Sequence, residues 1–184
     1  MRWLQSVSRA IDACTEWLGR CIRWLVLLSV LVAAFSALGR RLFGIGSNAL
    51  LESQWYMLAG IVLLGGSYAL LHRTHLRVDA LYLKYPARVR WWFDVLTLLL
   101  IVLPVCVFIA WVSWPYFIES LNMQEVSSAP GGLTRWPVKL FIPLGFLLLS
   151  LQAVSELIKL VSGSGASGYA DAPPAGTHAT PAAR

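Results

Sequence analysis

The residues that could do chemistry are few in this 184-residue chain, and they are not spaced as in an active site. His72 and His75 would share one helical face, whereas two axial haem ligands must approach the iron from opposite sides. The three cysteines form no C-x-x-C pair. Paired carboxylates, or a nucleophile with a base, are not apparent either. The sequence therefore predicts no enzyme, no metal site and no cofactor.

Composition places the chain in a membrane. Hydrophobic residues make up 58% and charged residues 13%, against about 45–50% and about 25% in a soluble domain. This apolar excess is too large for the single core of a domain of this size, so part of it must face lipid. The net charge of +6 is scattered between apolar runs, which sets orientation in a membrane and does not indicate a nucleic-acid partner.

Four uncharged apolar stretches are long enough to cross a bilayer or nearly so. They predict an all-α integral membrane protein with four transmembrane helices. Pro104 lies within the third stretch and predicts a kink, because proline lacks a backbone N–H. The predicted spans are residues 24–39, 53–71, 92–118 and 137–161, which form one membrane domain over 24–161.

Lysine and arginine are unevenly distributed between the two sides of these spans. The N-terminal segment, the central loop and the tail together hold eleven, and the two other connections hold four. By the positive-inside rule, both termini and the central loop lie in the cytoplasm.

The remaining segments have their own patterns. Residues 1–23 have apolar residues at spacings of three and four opposite charged ones, which predicts an amphipathic helix in the membrane interface. The alternative, a cleaved signal peptide, lacks a clear cleavage site. The basic loop between spans two and three, interleaved with Leu, Val and Tyr, predicts a second interfacial helix. Residues 162–184 are rich in Ser, Gly, Ala and Pro and predict a disordered tail.

The four uncharged stretches, 24–39, 53–71, 95–118 and 140–155, contain only mild polar groups such as Ser67 and Gln152. A self-contained channel or transporter should place ionisable groups along its pathway. The residues alone thus indicate a helical protein that supports another membrane protein. The alternatives are a membrane anchor subunit of a redox enzyme complex and a stand-alone channel.

Two groups of motifs add to this interpretation. One is His75-Leu76-Arg77-Val78-Asp79. The other consists, in order, of Ser113-Trp114-Pro115-Tyr116, Glu125-Val126-Ser127, Pro130-Gly131-Gly132-Leu133, Arg135-Trp136-Pro137-Val138-Lys139 and Ile142-Pro143-Leu144-Gly145. In order and spacing, the chain resembles the DctQ-like small membrane subunit of TRAP (tripartite ATP-independent periplasmic) transporters over about residues 20–161.

The resemblance implies a small permease subunit in the bacterial inner membrane. Its expected partners are a large elevator-type membrane subunit, which carries the substrate and sodium sites, a periplasmic solute-binding protein, and membrane lipids. Such a complex imports an organic acid by sodium symport, with 2-oxo acids or other carboxylates as the expected class. The small subunit would brace the scaffold.

Charged residues beside these motifs are candidates for partner or loop contacts. We expect Glu119 and Glu125 to pair with Arg135 and Lys139, and Asp79 to hold an arginine of its own loop. Simple solvation or snorkelling to the interface is the alternative. Our hypothesis is that Glu119, Glu125 and Arg135 present the outer surface to the binding protein. The full candidate set is Arg77, Asp79, Glu119, Glu125, Arg135, Trp136 and Lys139.

Overall fold

The computed structural model describes residues 2–44, 46–72 and 86–162. The regular secondary structure of this part of the chain is helical, and an isolated β-bridge joins Val126 and Thr134 in one of the connections. Four helical stretches are long and apolar enough to cross a membrane, as the sequence predicts. The elements are α1 (Arg2–Phe43), α2 (Asn48–Leu71), α3 (Ala87–Leu96), a π-helical segment (Thr97–Val102), α4 (Leu103–Asn122) and α5 (Trp136–Val161).

The N-terminal segment and the first span form one helix. The sequence predicts an interfacial helix over residues 1–23 followed by a span, but α1 is continuous over Arg2–Phe43. No helix-breaking residue separates the two parts, and Gly19 is the site of a close contact: a Cβ there would lie 2.1 Å from Cδ2 of Tyr68. At 1.5 Å per residue, 42 residues make a helix about 63 Å long, roughly twice the hydrocarbon thickness.

A π-helical turn over Thr97–Val102 precedes Pro104 in the third span. The Leu103 N–H donates to the carbonyl of Leu98, five residues back, instead of four. Proline has no N–H, and its ring crowds the carbonyl four residues earlier, so a wider π-helical turn relieves the conflict. The helical path continues through Thr97–Val102 into α4.

Helix α5 is the centre of the bundle and packs against α1, α2 and α4. Among the described helices it has the most buried residues, including Pro143, Gly145 and Gln152. Gly145 allows the closest approach, because a Cβ there would lie 2.7 Å from the backbone oxygen of Leu63 in α2. Small residues commonly bring membrane helices together in this way.

Many large apolar side chains lie exposed on the surface of the bundle. Trp24, Phe35 and Trp111 are examples, each more than 70% exposed. So extensive an apolar surface is incompatible with water and requires lipid or protein around it. The fold therefore defines a multi-pass helical membrane protein.

Two predicted segments cannot be compared with the structure. The proposed interfacial helix between spans two and three, and the tail from residue 163 onward, lie outside the described residues.

Candidate functional site

The connection between α4 and α5 folds into a small hairpin. The Ser127 N–H donates to the Leu133 carbonyl at 3.0 Å, and the Arg135 N–H donates to the Glu125 carbonyl at 2.8 Å. At its tip, the Gly132 N–H donates to the Ala129 carbonyl. Gly131 has φ +72°, which glycine adopts at little cost. The sequence at this tip, Ala129-Pro130-Gly131-Gly132, is typical of a turn.

Glu125 is the charged centre of this hairpin. Its carboxylate accepts hydrogen bonds from Lys139 of α5 and from the Ser120 hydroxyl of α4, the latter at 2.8 Å. The Arg135 guanidinium lies 3.7 Å from its other oxygen. The Lys139 ammonium also lies 4.0 Å from the centroid of the Tyr116 ring, a cation–π contact. One carboxylate thus joins both helices that flank the loop.

Glu52 of α2 fastens the hairpin from the other side. Its carboxylate accepts the Ser127 hydroxyl and, at 2.7 Å, the Leu133 N–H. Gly132 is required here, because a Cβ at that position would lie 2.4 Å from the Ser127 Cβ. We call this group the loop cluster, consisting of Glu52, Ser120, Glu125, Ser127, Arg135 and Lys139.

The loop cluster also shifts the ionisation of Glu125. The hydrogen bond from Lys139, followed by that from Ser120, lowers the pKa of the Glu125 carboxyl below its usual value. Both donors stabilise the charged form. The carboxylate is therefore ionised at neutral pH and remains an acceptor for the two flanking helices.

A second polar group, the α1–α5 cluster, lies between the N-terminal half of α1 and the C-terminal half of α5. Asp12 accepts from the Gln152 amide at 3.0 Å and the Ser155 hydroxyl at 2.9 Å, and pairs with Lys159 at 2.9 Å. The Thr15 hydroxyl donates to the Gln152 oxygen at 2.7 Å. The cluster consists of Ser8, Asp12, Thr15, Gln152, Ser155 and Lys159.

This second group is largely buried. Gln152 and Ser155 are 0% exposed and Ser8 is 4% exposed. The oxygens of Ser8 and Ser155 lie 2.7 Å apart. Because Ser155 donates its hydroxyl proton to Asp12, it accepts from Ser8. The α1–α5 cluster therefore holds one long helix against another.

The predicted site residues divide into three groups. Glu125, Arg135 and Lys139 come together as expected, and Trp136 begins α5 beside them. Glu119 is exposed and has no ion pair with any residue that the structure describes, so its predicted pairing is not seen there. Arg77 and Asp79 lie outside the described residues.

Sequence reasoning missed Glu52 and the whole α1–α5 cluster. Glu52 directly precedes the predicted second span and is 81 residues from Leu133, the loop residue whose N–H it accepts. In α5, Gln152, Ser155 and Lys159 follow each other at helical spacings of three and four, as do Ser8, Asp12 and Thr15 in α1. Two polar stripes of matching period were the available signal.

Neither cluster contains a histidine, the residue type considered as a haem ligand. Nε2 of His72 lies 2.9 Å from the Glu16 carboxylate, and His75 lies outside the described residues. Among the residues described, no group of three His, Cys, Asp or Glu side chains could hold a metal ion. The polar groups of both clusters instead bind one another and fix helices and a loop.

Fold and site together define a multi-pass membrane protein with a structured loop on one side. The family model for tripartite ATP-independent periplasmic transporters, DctQ component, matches residues 28–163. The chain belongs to this family, which confirms the resemblance. No curated protein and no solved structure matches the chain.

The family is a transporter component, not an enzyme family. It works in a tripartite transporter together with DctM and DctP components. The match gives no support to the alternative of a membrane anchor subunit in a redox enzyme complex.

Proposed function

We propose that this chain is the small permease subunit of a sodium-coupled TRAP transporter. It braces a large elevator-type subunit during uptake of an organic acid delivered by a periplasmic binding protein. The family match over residues 28–163 carries the proposal. We further propose that the membrane is the bacterial inner membrane, with both termini in the cytoplasm.

The distribution of charge supports a bracing role. The sequences 24–39, 53–71, 95–118 and 140–155 contain no Asp, Glu, Lys, Arg or His. A self-contained pathway for sodium and a carboxylate should have ionisable groups along its membrane-spanning stretches. The solute site therefore belongs to another chain, and this one supplies rigid helices around it.

The partner-facing surface is proposed to be the loop cluster with its exposed neighbours. The Arg135 side chain is 43% exposed and that of Glu125 is 32% exposed. Both have a defined position because Lys139, Ser120 and Glu52 fix the hairpin. A charged surface of fixed shape is suited to repeated docking of a soluble protein.

Sodium-dependent uptake by the full complex tests the proposal. A panel of radiolabelled 2-oxo acids and other carboxylates should yield one that enters proteoliposomes only when all three components and a sodium gradient are present. Uptake that persists without this chain would contradict the bracing role. Haem or quinone bound to the purified chain would instead favour a redox anchor.

Charge reversal tests the docking surface. Glu125→Lys and Arg135→Glu should lower uptake and weaken association of the binding protein, because the loop would present altered charges. Arg20→Glu, an exposed substitution near the other end of the bundle, is the control and should leave uptake unchanged. Unchanged uptake in the loop variants would refute this surface.

Cysteine accessibility tests the orientation. In a background without native cysteines, Ser128→Cys in the loop should react with an impermeant maleimide added outside intact cells. Gln5→Cys in α1 should react only after the membrane is permeabilised. The reverse pattern would overturn the proposed topology.

A further inference from the structure

A groove between α1 and α2 opens at the end where the two helices are connected. Its volume is about 500 Å³. Helix α1 contributes small side chains and two arginines, and α2 contributes one apolar and one amide side chain. The lining residues are Ala33, Ser36, Ala37, Arg40, Arg41, Leu51 and Gln54.

The groove has a charged end and an apolar wall. Arg40 and Arg41 directly follow the uncharged run 24–39, so they lie where an apolar helix leaves the hydrocarbon and meets the headgroups. Ala37 and Ala33 lie one and two turns earlier on α1, respectively, and keep that part of the groove open because their side chains are short. The groove thus changes from apolar to basic along its length.

The two guanidinium groups are available to a ligand. Both arginines are exposed, and neither has an ion-pair partner among the residues that the structure describes. The only acidic residue of α2 (Asn48–Leu71) is Glu52, and its carboxylate accepts hydrogen bonds from Ser127 and Leu133 of the loop. The basic end of the groove therefore carries positive charge that the described part of the chain leaves unneutralised.

We propose that this groove binds an anionic phospholipid. Guanidinium groups match phosphate oxygens with paired hydrogen bonds, and two of them favour a lipid whose headgroup adds no cation of its own. An acyl chain would lie against Ala33, Ala37 and Leu51. The Ser36 hydroxyl and the Gln54 amide can bond the ester and glycerol oxygens.

Other occupants fit the groove less well. A soluble anion would gain nothing from the apolar wall, and an apolar helix would bury two unpaired charges at considerable cost. A phospholipid places a phosphate and a hydrocarbon chain in the same order as the arginines and alanines. The assignment depends only on the chain spanning a membrane, and is independent of the proposed transport role.

Native mass spectrometry of the purified full chain tests the assignment. Delipidated protein is mixed with phosphatidylglycerol or phosphatidylcholine of the same acyl chains, and the bound fractions are compared. Phosphatidylglycerol should bind with a preference that the double variant Arg40→Gln/Arg41→Gln lowers about tenfold. The control Arg20→Gln/Arg23→Gln removes the same charge from the exposed opposite part of α1 and should keep the preference.

A second variant tests the apolar wall without changing charge. Ala37 is exposed, so Ala37→Phe should fold normally while filling the groove, and should also reduce phosphatidylglycerol binding. Inorganic phosphate should not displace the lipid. Three results would each overturn the proposal. Both groove variants could bind phosphatidylglycerol as well as the wild type does, the control Arg20→Gln/Arg23→Gln could lose as much of the preference as Arg40→Gln/Arg41→Gln, or inorganic phosphate could displace the lipid.

Discussion

The α1–α5 cluster and the loop cluster use similar groups for different purposes. Each centres on a carboxylate that binds a lysine and a serine, Asp12 in one and Glu125 in the other. The first is closed between two packed helices, with Gln152 and Ser155 inaccessible. The second holds a hairpin whose Arg135 is 43% exposed. Burial therefore separates a structural polar contact from one that leaves charge available to a partner.

The comparison predicts its largest effect at Gln152. Gln152→Leu removes the acceptor of the buried Thr15 hydroxyl and one of the donors to Asp12, which keeps Ser155 and Lys159 as partners. We expect a loss of about 1–3 kcal/mol in the free energy of unfolding, measured by denaturation in detergent. Val154→Ala, on a more exposed part of α5, is the control and should change it by less. Equal stability of Gln152→Leu and the wild type would show that the cluster does not hold α1.

Gly132 should show a local effect. In Gly132→Ala the new Cβ would lie 2.4 Å from that of Ser127, so the hairpin must move away from Glu52. Amide hydrogen exchange at Ser127 and Leu133 should rise about tenfold, with little change in global unfolding. Gly66→Ala, where a Cβ meets nothing within 4 Å, should leave both amides protected. If Gly132→Ala unfolds the whole bundle, the two clusters are not energetically separate.

Glu52 should show a smaller effect of the same kind. Glu52→Gln keeps an oxygen acceptor but loses the charge that strengthens both hydrogen bonds. We expect severalfold faster exchange at the Leu133 amide, whose N–H donates to this carboxylate. Glu119→Gln, an exposed change on α4, is the matched control. Identical exchange in the two variants would remove Glu52 from the loop cluster.

The smallest effect concerns pH. The pKa of Glu125 is lowered by the hydrogen bonds from Lys139 and Ser120, so the ionised form stabilises the folded loop above the ordinary glutamate pKa. That contribution is lost as the pH falls through the lowered pKa. Loop exchange, corrected for its intrinsic pH dependence, should increase at acidic pH. Glu125→Gln should weaken this pH dependence. An unaltered pH profile in that variant would show that another group causes the dependence.

Periodicity and charge were sufficient to predict the four spans and the turn at residues 129–132. A membrane span needs an uncharged run of sufficient length, and a tight turn favours glycine. Both requirements concern neighbouring residues only, so they can be recognised within one segment of the sequence. The pairing of Glu125 with Arg135 and Lys139 was also accessible, because these residues lie within 14 positions of one another.

The contacts between residues far apart in the sequence could not be predicted from periodicity and charge. Asp12 belongs to the charged face that amphipathicity assigns to solvent, yet it bonds Gln152 and Ser155 about 140 residues away. A single sequence does not show which distant polar stripe meets which. Glu52 was missed for the same reason, since its partner Leu133 lies 81 residues further along the chain.

The central claim is that this chain works as the small subunit beside a large membrane subunit. Affinity purification of the tagged chain in mild detergent, from membranes that contain the other components, tests it most directly. The account predicts that a DctM component, identified by mass spectrometry, purifies with it in constant ratio. Recovery of the chain alone, under conditions where it remains folded, would contradict the account.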